Sequence, residues 1–199
     1  MIIAAFGDGV LLGEGDPYRL GWVGRALVGA PQPLLFNLGV GGDTSREIAS
    51  RWWTEAAVRR RPGQPFKLLF SFGVCDCDME AGALRVRPDE TVRAARAILS
   101  EARALGPVLM VCPTPVVQAA HRARAAALGD ALEAVAGQVG VACINPFTAL
   151  RIGGLWEAEA AVGDGVHPGA EGYQHLAELM AAHPVWRDFA DDGSRRLAH

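Results

Sequence analysis

The chain has 199 residues, half of them hydrophobic and 21% charged, which is typical of a globular protein with a sizeable core. Its 22 acidic and 19 basic residues give a net charge of -3, so no excess of positive charge indicates a nucleic-acid partner. No apolar run approaches the length of a membrane span, and no basic segment precedes the first apolar run as in a secretory signal. We therefore expect a cytoplasmic protein without a membrane partner, with one domain over residues 1–190 and a polar tail over 191–199.

The first half of the chain alternates buried strands with helices. The short apolar run over residues 1–6 predicts a first strand, and a helix-like segment over 18–28 follows it. Residues 33–38 and 66–73 predict the second and third strands. Between them, apolar residues at four-residue spacing predict a helix: Ile48, Trp52 and Ala56.

The second half continues the same alternation. Its predicted elements, in chain order, are a helix that opens at Pro88-Asp89-Glu90, a strand over 108–112, a helix striped by apolar residues between Leu128 and Val139, a strand over 141–144 and a last helix over 169–182. Residues 145–162 have a weaker pattern, typical of a short helical turn and a loop. Regular strand–helix alternation predicts an α/β protein of three layers, with a five-stranded parallel sheet covered by helices on both faces.

The candidate functional residues follow the strands of this sheet. They are Asp8 and Gly9 after the first strand, Gly42 and Asp43 after the second, and Cys75 and Asp76 after the third. Ligands of open α/β sheets bind at the carboxyl ends of the strands, so these residues should line one site. A fourth block, Asp164-Gly165-Val166-His167, precedes the last helix, and an Asp so placed can orient an imidazole. Each block alone also fits an ordinary turn or surface loop.

Together the four blocks resemble the SGNH or GDSL hydrolases, a family of esterases and acylhydrolases. The segments that carry the resemblance are Phe6-Gly7-Asp8-Gly9, Asn37-Leu38-Gly39-Val40-Gly41-Gly42-Asp43-Thr44, Gly73-Val74-Cys75-Asp76 and Asp164 with His167. The resemblance implies a flavodoxin-like fold and a small ester or acyl-bearing substrate. It implies that Gly9 holds the nucleophile position, that His167 is the general base and that Asp164 orients it. It also implies an oxyanion hole at Gly9, Gly42 and Cys75, with Asp8, Asp43 and Asp76 in supporting roles.

Two residues depart from the family pattern. The nucleophilic serine is Gly9, so an ordinary serine mechanism is not possible, and the oxyanion-hole asparagine is Cys75, whose thiol is a weak donor. Three hypotheses follow: a hydrolase with weakened or altered chemistry, a non-catalytic pseudoenzyme that keeps the ligand cleft as a binding module, or an interaction protein. Under the first, His167 activates water or another nucleophile, and Gly9→Ser should raise esterase activity.

The cysteines and histidines complete the candidate residues. Cys75 could replace the serine as nucleophile, in which case a nearby imidazolium should lower its pKa; the alternative is an inert buried cysteine. The spacing Cys75-Asp76-Cys77 is too tight for a zinc knuckle, so we expect free thiols, no metal and no cofactor. The histidines outside the site, all expected at the surface, are His121, His175 and His183. The sequence gives no indication of the oligomeric state.

Overall fold

The computed structural model describes residues 1–28 and 33–191. The strands in this part are β1 (Ile2–Gly7), β2 (Leu34–Gly39), β3 (Phe66–Ser71), β4 (Met79–Glu80), β5 (Ala83–Leu84), β6 (Val108–Val111) and β7 (Ala142–Ile144). Five of them form one parallel sheet in the order β2-β1-β3-β6-β7, while β4 and β5 form a separate antiparallel hairpin. The five-stranded parallel sheet predicted from the sequence is therefore confirmed, and its order is that of flavodoxin-like folds.

Helices cover both faces of the sheet. In the described residues they are α1 (Gly9–Leu12), α2 (Gly21–Ala26), α3 (Ser45–Ala57), α4 (Pro88–Ala102), α5 (Ala119–Val139), α6 (Phe147–Arg151), α7 (Leu155–Ala160), α8 (Ala170–Ala182) and α9 (Pro184–Ala190). One core cluster joins the sheet to α3, α4 and α5, and a second joins its other face to α2, α7, α8 and α9. None of these helices is long and apolar enough to cross a membrane.

The central strand β1 shows why its sequence is apolar throughout. Ile2, Ala4 and Phe6 belong to one core cluster, whereas Ile3 and Ala5 belong to the other. Successive side chains of a strand point to opposite faces, so a strand covered on both sides must be hydrophobic at every position. At its carboxyl end Gly7 pairs with Gly39 of β2 and Ser71 of β3, which brings the segments after these three strands to one edge.

The helix predicted over residues 18–28 is shorter in the structure, where α2 covers only Gly21–Ala26 and a loop precedes it. The chain makes the single turn α1, which Gly13 ends with a left-handed conformation (φ 91°). The buried carboxylate of Asp16 then accepts hydrogen bonds from the backbone N–H groups of Leu20 and Gly21 and pairs with Arg25 at 2.8 Å. These bonds delay the start of α2 to Gly21 and fix the course of the loop.

The carboxyl-terminal region has more helix than its sequence pattern predicts. Residues 145–162 form α6 and α7 instead of one turn and a loop. The last predicted helix is present as α8, but α9 follows it, with the side chain of His183 accepting a hydrogen bond from Val185 N–H and Pro184 at the first helical position. The predicted polar tail, beyond Asp191, lies outside the described residues.

Candidate active site

Asp8 follows β1 directly and is almost completely buried. Its Oδ1 accepts the backbone N–H of Val10 at 3.1 Å and so caps α1, while its Oδ2 has no hydrogen-bond partner among the described residues. Burial raises the pKa of Asp8 to about 7, although the Val10 bond and the charge of His167 oppose the rise. This carboxyl therefore exchanges its proton near neutral pH.

His167 and Asp164 lie in the loop between α7 and α8 and are hydrogen-bonded to each other. Nδ1 of His167 is 2.6 Å from Oδ2 of Asp164, and Oδ1 of the same carboxylate accepts the backbone N–H groups of His167 (2.9 Å) and Val166 (2.8 Å). Partial burial acts to raise the pKa of Asp164, but the bonds from His167 and Val166 hold it below its ordinary value. An ionised Asp164 accepts a hydrogen bond from Nδ1–H, so Nε2 is the ring nitrogen that faces Gly9.

One contact from this loop and one from α7 hold them against the segment that follows β6. The backbone N–H of Val117 donates to the carbonyl of Gly165 at 2.8 Å, and the indole N–H of Trp156 donates to the carbonyl of Pro115, also at 2.8 Å. Trp156 is fully buried. The imidazole is thus positioned by the sheet and by the core, although it lies in a loop.

Gly9 adjoins the imidazole. A Cβ atom built on Gly9 would lie 2.5 Å from Nε2 of His167 and closer still to Oε2 of Glu14. A side chain at this position would therefore meet this imidazole nitrogen directly. It would also meet the Glu14 carboxylate, so the predicted gain from Gly9→Ser requires Glu14 to move.

Glu14 was not predicted from the sequence to be a site residue. Its Oε2 is 3.3 Å from Nε2 of His167, on the opposite side of the ring from Asp164, and 41% of its side chain is exposed. It lies five residues beyond Gly9 in a loop whose course has no periodic signal. The imidazole therefore stands between two carboxylates.

The segment after β2 carries the predicted oxyanion glycine. Gly42 is exposed, has a φ of +79° and has open space at the position of a Cβ atom, whereas Gly41 approaches Oε1 of Glu14 closely. Asn37 of β2 joins the strand to α1 by donating from Nδ2 to the carbonyl of Leu11 at 2.9 Å. Close approach by an acyl group is sterically open at Gly42, because no side chain is present there.

The two predicted supporting carboxylates after β2 and β3 have structural partners. Asp43 pairs with Arg51 of α3 at 2.7 Å. Asp76 is buried and accepts the backbone N–H of Ser45 at 2.9 Å, the Ser45 hydroxyl at 2.5 Å and the Thr91 hydroxyl at 2.6 Å. Asp76 thereby ties the segment after β3 to the first turns of α3 and α4.

Cys75 is half-buried and does not match the thiolate expected from the sequence. Burial raises the pKa of its thiol, and the Asp8 carboxylate raises it further, while Arg85 opposes them. The predicted lowering of this pKa is therefore wrong in direction. The atoms nearest to the Cβ position of Gly9 belong to Glu14 and His167, so the space beside Gly9 is filled by Glu14 instead of Cys75.

The other histidines and the cysteines hold no further site in the described residues. His121 is buried and its Nε2 lies 2.8 Å from the carbonyl of Val74, so the expectation of a surface residue is wrong. His175 and His183 are half-buried. All four cysteines are free, and in residues 1–28 and 33–191 no three His, Cys, Asp or Glu side chains are arranged to hold a metal ion.

Comparison with known proteins gives one family and a set of similar folds. Residues 2–175 match the model of the GDSL-like Lipase/Acylhydrolase family. A lipolytic G-D-S-L family protein from Veillonella parvula superposes with a TM-score of 0.74 at 21% identity, covering 89% of this chain and 94% of that chain. A lipase/acylhydrolase from Enterococcus faecalis gives 0.74 at 18% identity (94% and 97% covered), and the acetylxylan esterase Axe2 from Geobacillus stearothermophilus gives 0.72 at 18% (92% and 94%). Comparison with curated proteins gave no match.

Proposed function

Because the chain belongs to the GDSL-like lipase/acylhydrolase family, we propose that it hydrolyses a small ester or acyl-bearing substrate with His167 as its general base. The observation that carries this proposal is the pairing of His167 Nδ1 with Asp164 Oδ2 at 2.6 Å, while Nε2 lies 2.5 Å from the Cβ position of Gly9. A base held in one tautomer by a carboxylate, with its second nitrogen at the nucleophile position, is the arrangement that acyl transfer requires.

The remaining residues of the proposed site offer fewer strong oxyanion donors than a serine esterase has, and no serine nucleophile. The backbone N–H groups of Gly9 and Gly42 are the proposed oxyanion donors, and the neutral thiol of Cys75 is a weak third. With glycine at position 9 the acyl group cannot pass to a serine, so we propose that the chemistry is altered. Four free thiols suit a reducing compartment, and we place the protein in the cytoplasm on that basis.

The alternative function is a non-catalytic binding module. The observation in its favour is the Glu14 carboxylate, which fills the space beside Gly9 where a nucleophile would stand. Under this alternative the cleft keeps a ligand while Glu14 blocks attack on it.

Hydrolysis assays distinguish the two functions. We expect the wild type to hydrolyse members of a panel of p-nitrophenyl esters, alkyl esters and S-acyl thiols, and we expect His167→Ala to lose that activity. The half-buried His175 on α8 provides the control, because His175→Ala changes a histidine outside the site. Wild-type rates equal to those of a folded His167→Ala protein on every substrate would reject catalysis and leave the binding module.

A further inference from the structure

The carboxylate of Glu14 occupies the volume that a nucleophilic side chain on Gly9 would fill. Its Oε2 is the atom nearest to the Cβ position of Gly9, and the next is Nε2 of His167. The same Oε2 is 3.3 Å from Nε2 of His167. Oxygen, imidazole and the Asp164 carboxylate therefore follow one another in the order of a nucleophile, a base and an orienting acid.

The backbone around Glu14 is fixed on several sides. The N–H of Glu14 donates to the carbonyl of Gly9 at 3.0 Å, and its own carbonyl accepts the hydroxyl of Tyr173 at 2.7 Å. Gly15 (φ +82°) passes so close to His167 and Pro168 that a Cβ atom there would lie 2.5 Å from the Pro168 carbonyl oxygen. The loop of Glu14 and the loop of His167 thus contact each other directly, which preorganises the two side chains.

We propose that Glu14 is the nucleophile of this site and that its substrates are acyl groups carried by a thiol or a phenol. This inference rests on the proposed function, since it assigns the group that replaces the absent serine. Glutamate carboxylates serve as covalent nucleophiles in other enzyme classes, so the role requires no cofactor.

The reaction has two steps. In the first, Oε2 of Glu14 attacks the acyl carbon, the bond from that carbon to the thiol sulfur breaks, and the departing thiolate takes the proton from Nε2 of a protonated His167. The product is a mixed anhydride between Glu14 and the acyl group. In the second, Nε2 takes a proton from water while the water oxygen adds to Cδ of Glu14. The bond from Cδ to the bridging oxygen then breaks, so the former Oε2 leaves with the acyl group, and the remaining proton of the water passes from Glu14 to the departing carboxylate. Free carboxylic acid, free thiol, the Glu14 carboxylate and protonated His167 remain, so atoms and charge balance.

The choice of leaving group follows from acidity. The first tetrahedral adduct expels either the Glu14 carboxylate or the leaving group, and the weaker base departs more readily. Carboxylic acids in general are much stronger acids than thiols, with a pKa of about 8.5, or phenols, at about 10, whereas water, as a guide to alcohols, is at about 15.7. Expulsion of Glu14 is therefore favoured in every case, but its advantage is smallest over a thiol, larger over a phenol and largest over an alcohol. We therefore expect thioesters and aryl esters to react and alkyl ester adducts to revert almost completely.

The surface beside Glu14 has room for such a substrate. A groove of about 540 Å³ adjoins the carboxylate, lined by residues 12–17 and by Arg19. A larger hollow lies around Trp53 and residues 60–65, beside the segment that leads into β3 and so at the opposite end of the sheet. Glu14 is thus the residue that links this groove to the imidazole.

Variants of Glu14 test the proposal by rate. We expect Glu14→Gln, which keeps the shape but not the charge, to lower kcat for an S-acetyl thiol and for p-nitrophenyl acetate by more than about 10³-fold. We expect the wild type to hydrolyse ethyl acetate far more slowly than either. Glu133→Gln, at an exposed position of α5, is the matched control. Thermal unfolding of each variant checks that it is folded.

Heavy-oxygen water supplies a readout apart from rate. Over many turnovers in such water, attack on the Glu14 side of the anhydride places the label in the Glu14 carboxylate, which mass spectrometry of its peptide detects. Label in Glu14 that requires substrate supports the proposal. Label in the product alone, or full activity in Glu14→Gln, overturns the role of Glu14 as nucleophile but leaves the proposed His167-dependent hydrolase intact. Higher activity in Glu14→Gln than in the wild type also overturns that role, because it would show that Glu14 blocks the site. A wild type inactive on every substrate overturns the proposed function itself.

Discussion

Asp8 should make the stability of the protein depend on pH near neutrality, and Asp8→Asn should remove that dependence. The carboxyl is 2% exposed, and one of its oxygens, Oδ2, has no partner in the described structure. Asparagine keeps an oxygen for the Val10 N–H and is as good a helix cap as aspartate, so the change removes the titration without removing the cap.

The magnitude follows from the two pKa values of Asp8. Its folded-state pKa of about 7 exceeds the ordinary value of 3.8, and about 3 units correspond to about 4 kcal/mol of unfolding free energy. Because the folded state binds this proton more tightly, the contribution is complete below pH 3.8 and is lost as the pH rises through 7. Asp164 has the opposite sign, since its lowered pKa makes stability fall as the pH falls.

The comparison of wild type with variant cancels these other groups. Urea unfolding at several pH values between 4 and 8 should show the wild type losing about 4 kcal/mol relative to Asp8→Asn across that range. Asp130→Asn, at an exposed position of α5, is the control and should show a constant difference. A difference for Asp8→Asn that stays constant within about 1 kcal/mol would refute the reasoning, because it would mean that Asp8 has the same pKa in the folded and unfolded chain.

The remaining predictions concern Gly9, Asp164 and Tyr173. Gly9→Ala should displace the Glu14 carboxylate and lower kcat for the S-acetyl thiol at least about 10²-fold. Gly9→Ser/Glu14→Ala should hydrolyse alkyl esters faster than Gly9→Ser, because the serine then has no carboxylate beside it. Equal alkyl-ester rates in these two variants would contradict the steric argument. Asp164→Asn should lower kcat by about 10⁴-fold, as expected when the imidazole loses its tautomer, with its melting temperature as the check on folding; a loss below tenfold would contradict the role of Asp164. Tyr173→Phe leaves the Glu14 carbonyl without its hydroxyl donor, so the urea midpoint should fall by the equivalent of about 1–3 kcal/mol at an unchanged m-value, and an unshifted midpoint would show that the bond does not hold the loop.

The sheet could be predicted because burial on two faces leaves a plain mark in a sequence. β1 is apolar up to its terminal Gly7, and β3 is apolar except for Lys67 and its terminal Ser71. The helix α9 has a signal in Pro184, which suits a first helical position, but its seven residues are too few for a clear helical periodicity. The hairpin of β4 and β5 has two residues in each strand, too few for an alternating pattern.

The geometry of the candidate site could be predicted only where a short motif determines it locally. Asp164 and His167 are three residues apart, so one turn of chain suffices to bond them. Glu14 is different, because it reaches the imidazole through the single turn α1 and the left-handed Gly13, and neither has a periodic signature. The predicted direction of the Cys75 pKa shift was wrong for a similar reason. That direction depends on burial and on the nearby Asp8 carboxylate, and the order of residues in the sequence reveals neither.

The space beside His167 can hold either a side chain on residue 9 or the carboxylate of Glu14, but not both. A Cβ atom on Gly9 would stand within contact distance of both Glu14 and His167, so a side chain there and the carboxylate in its present place exclude each other. Gly9 is therefore the residue that admits Glu14 to the imidazole. With 41% of its side chain exposed, Glu14 has a route to solvent when Gly9→Ser displaces it. The esterase activity of Gly9→Ser then depends on how readily the Glu14 carboxylate moves away from the imidazole. Only Gly9→Ser/Glu14→Ala measures the reactivity of the serine by itself.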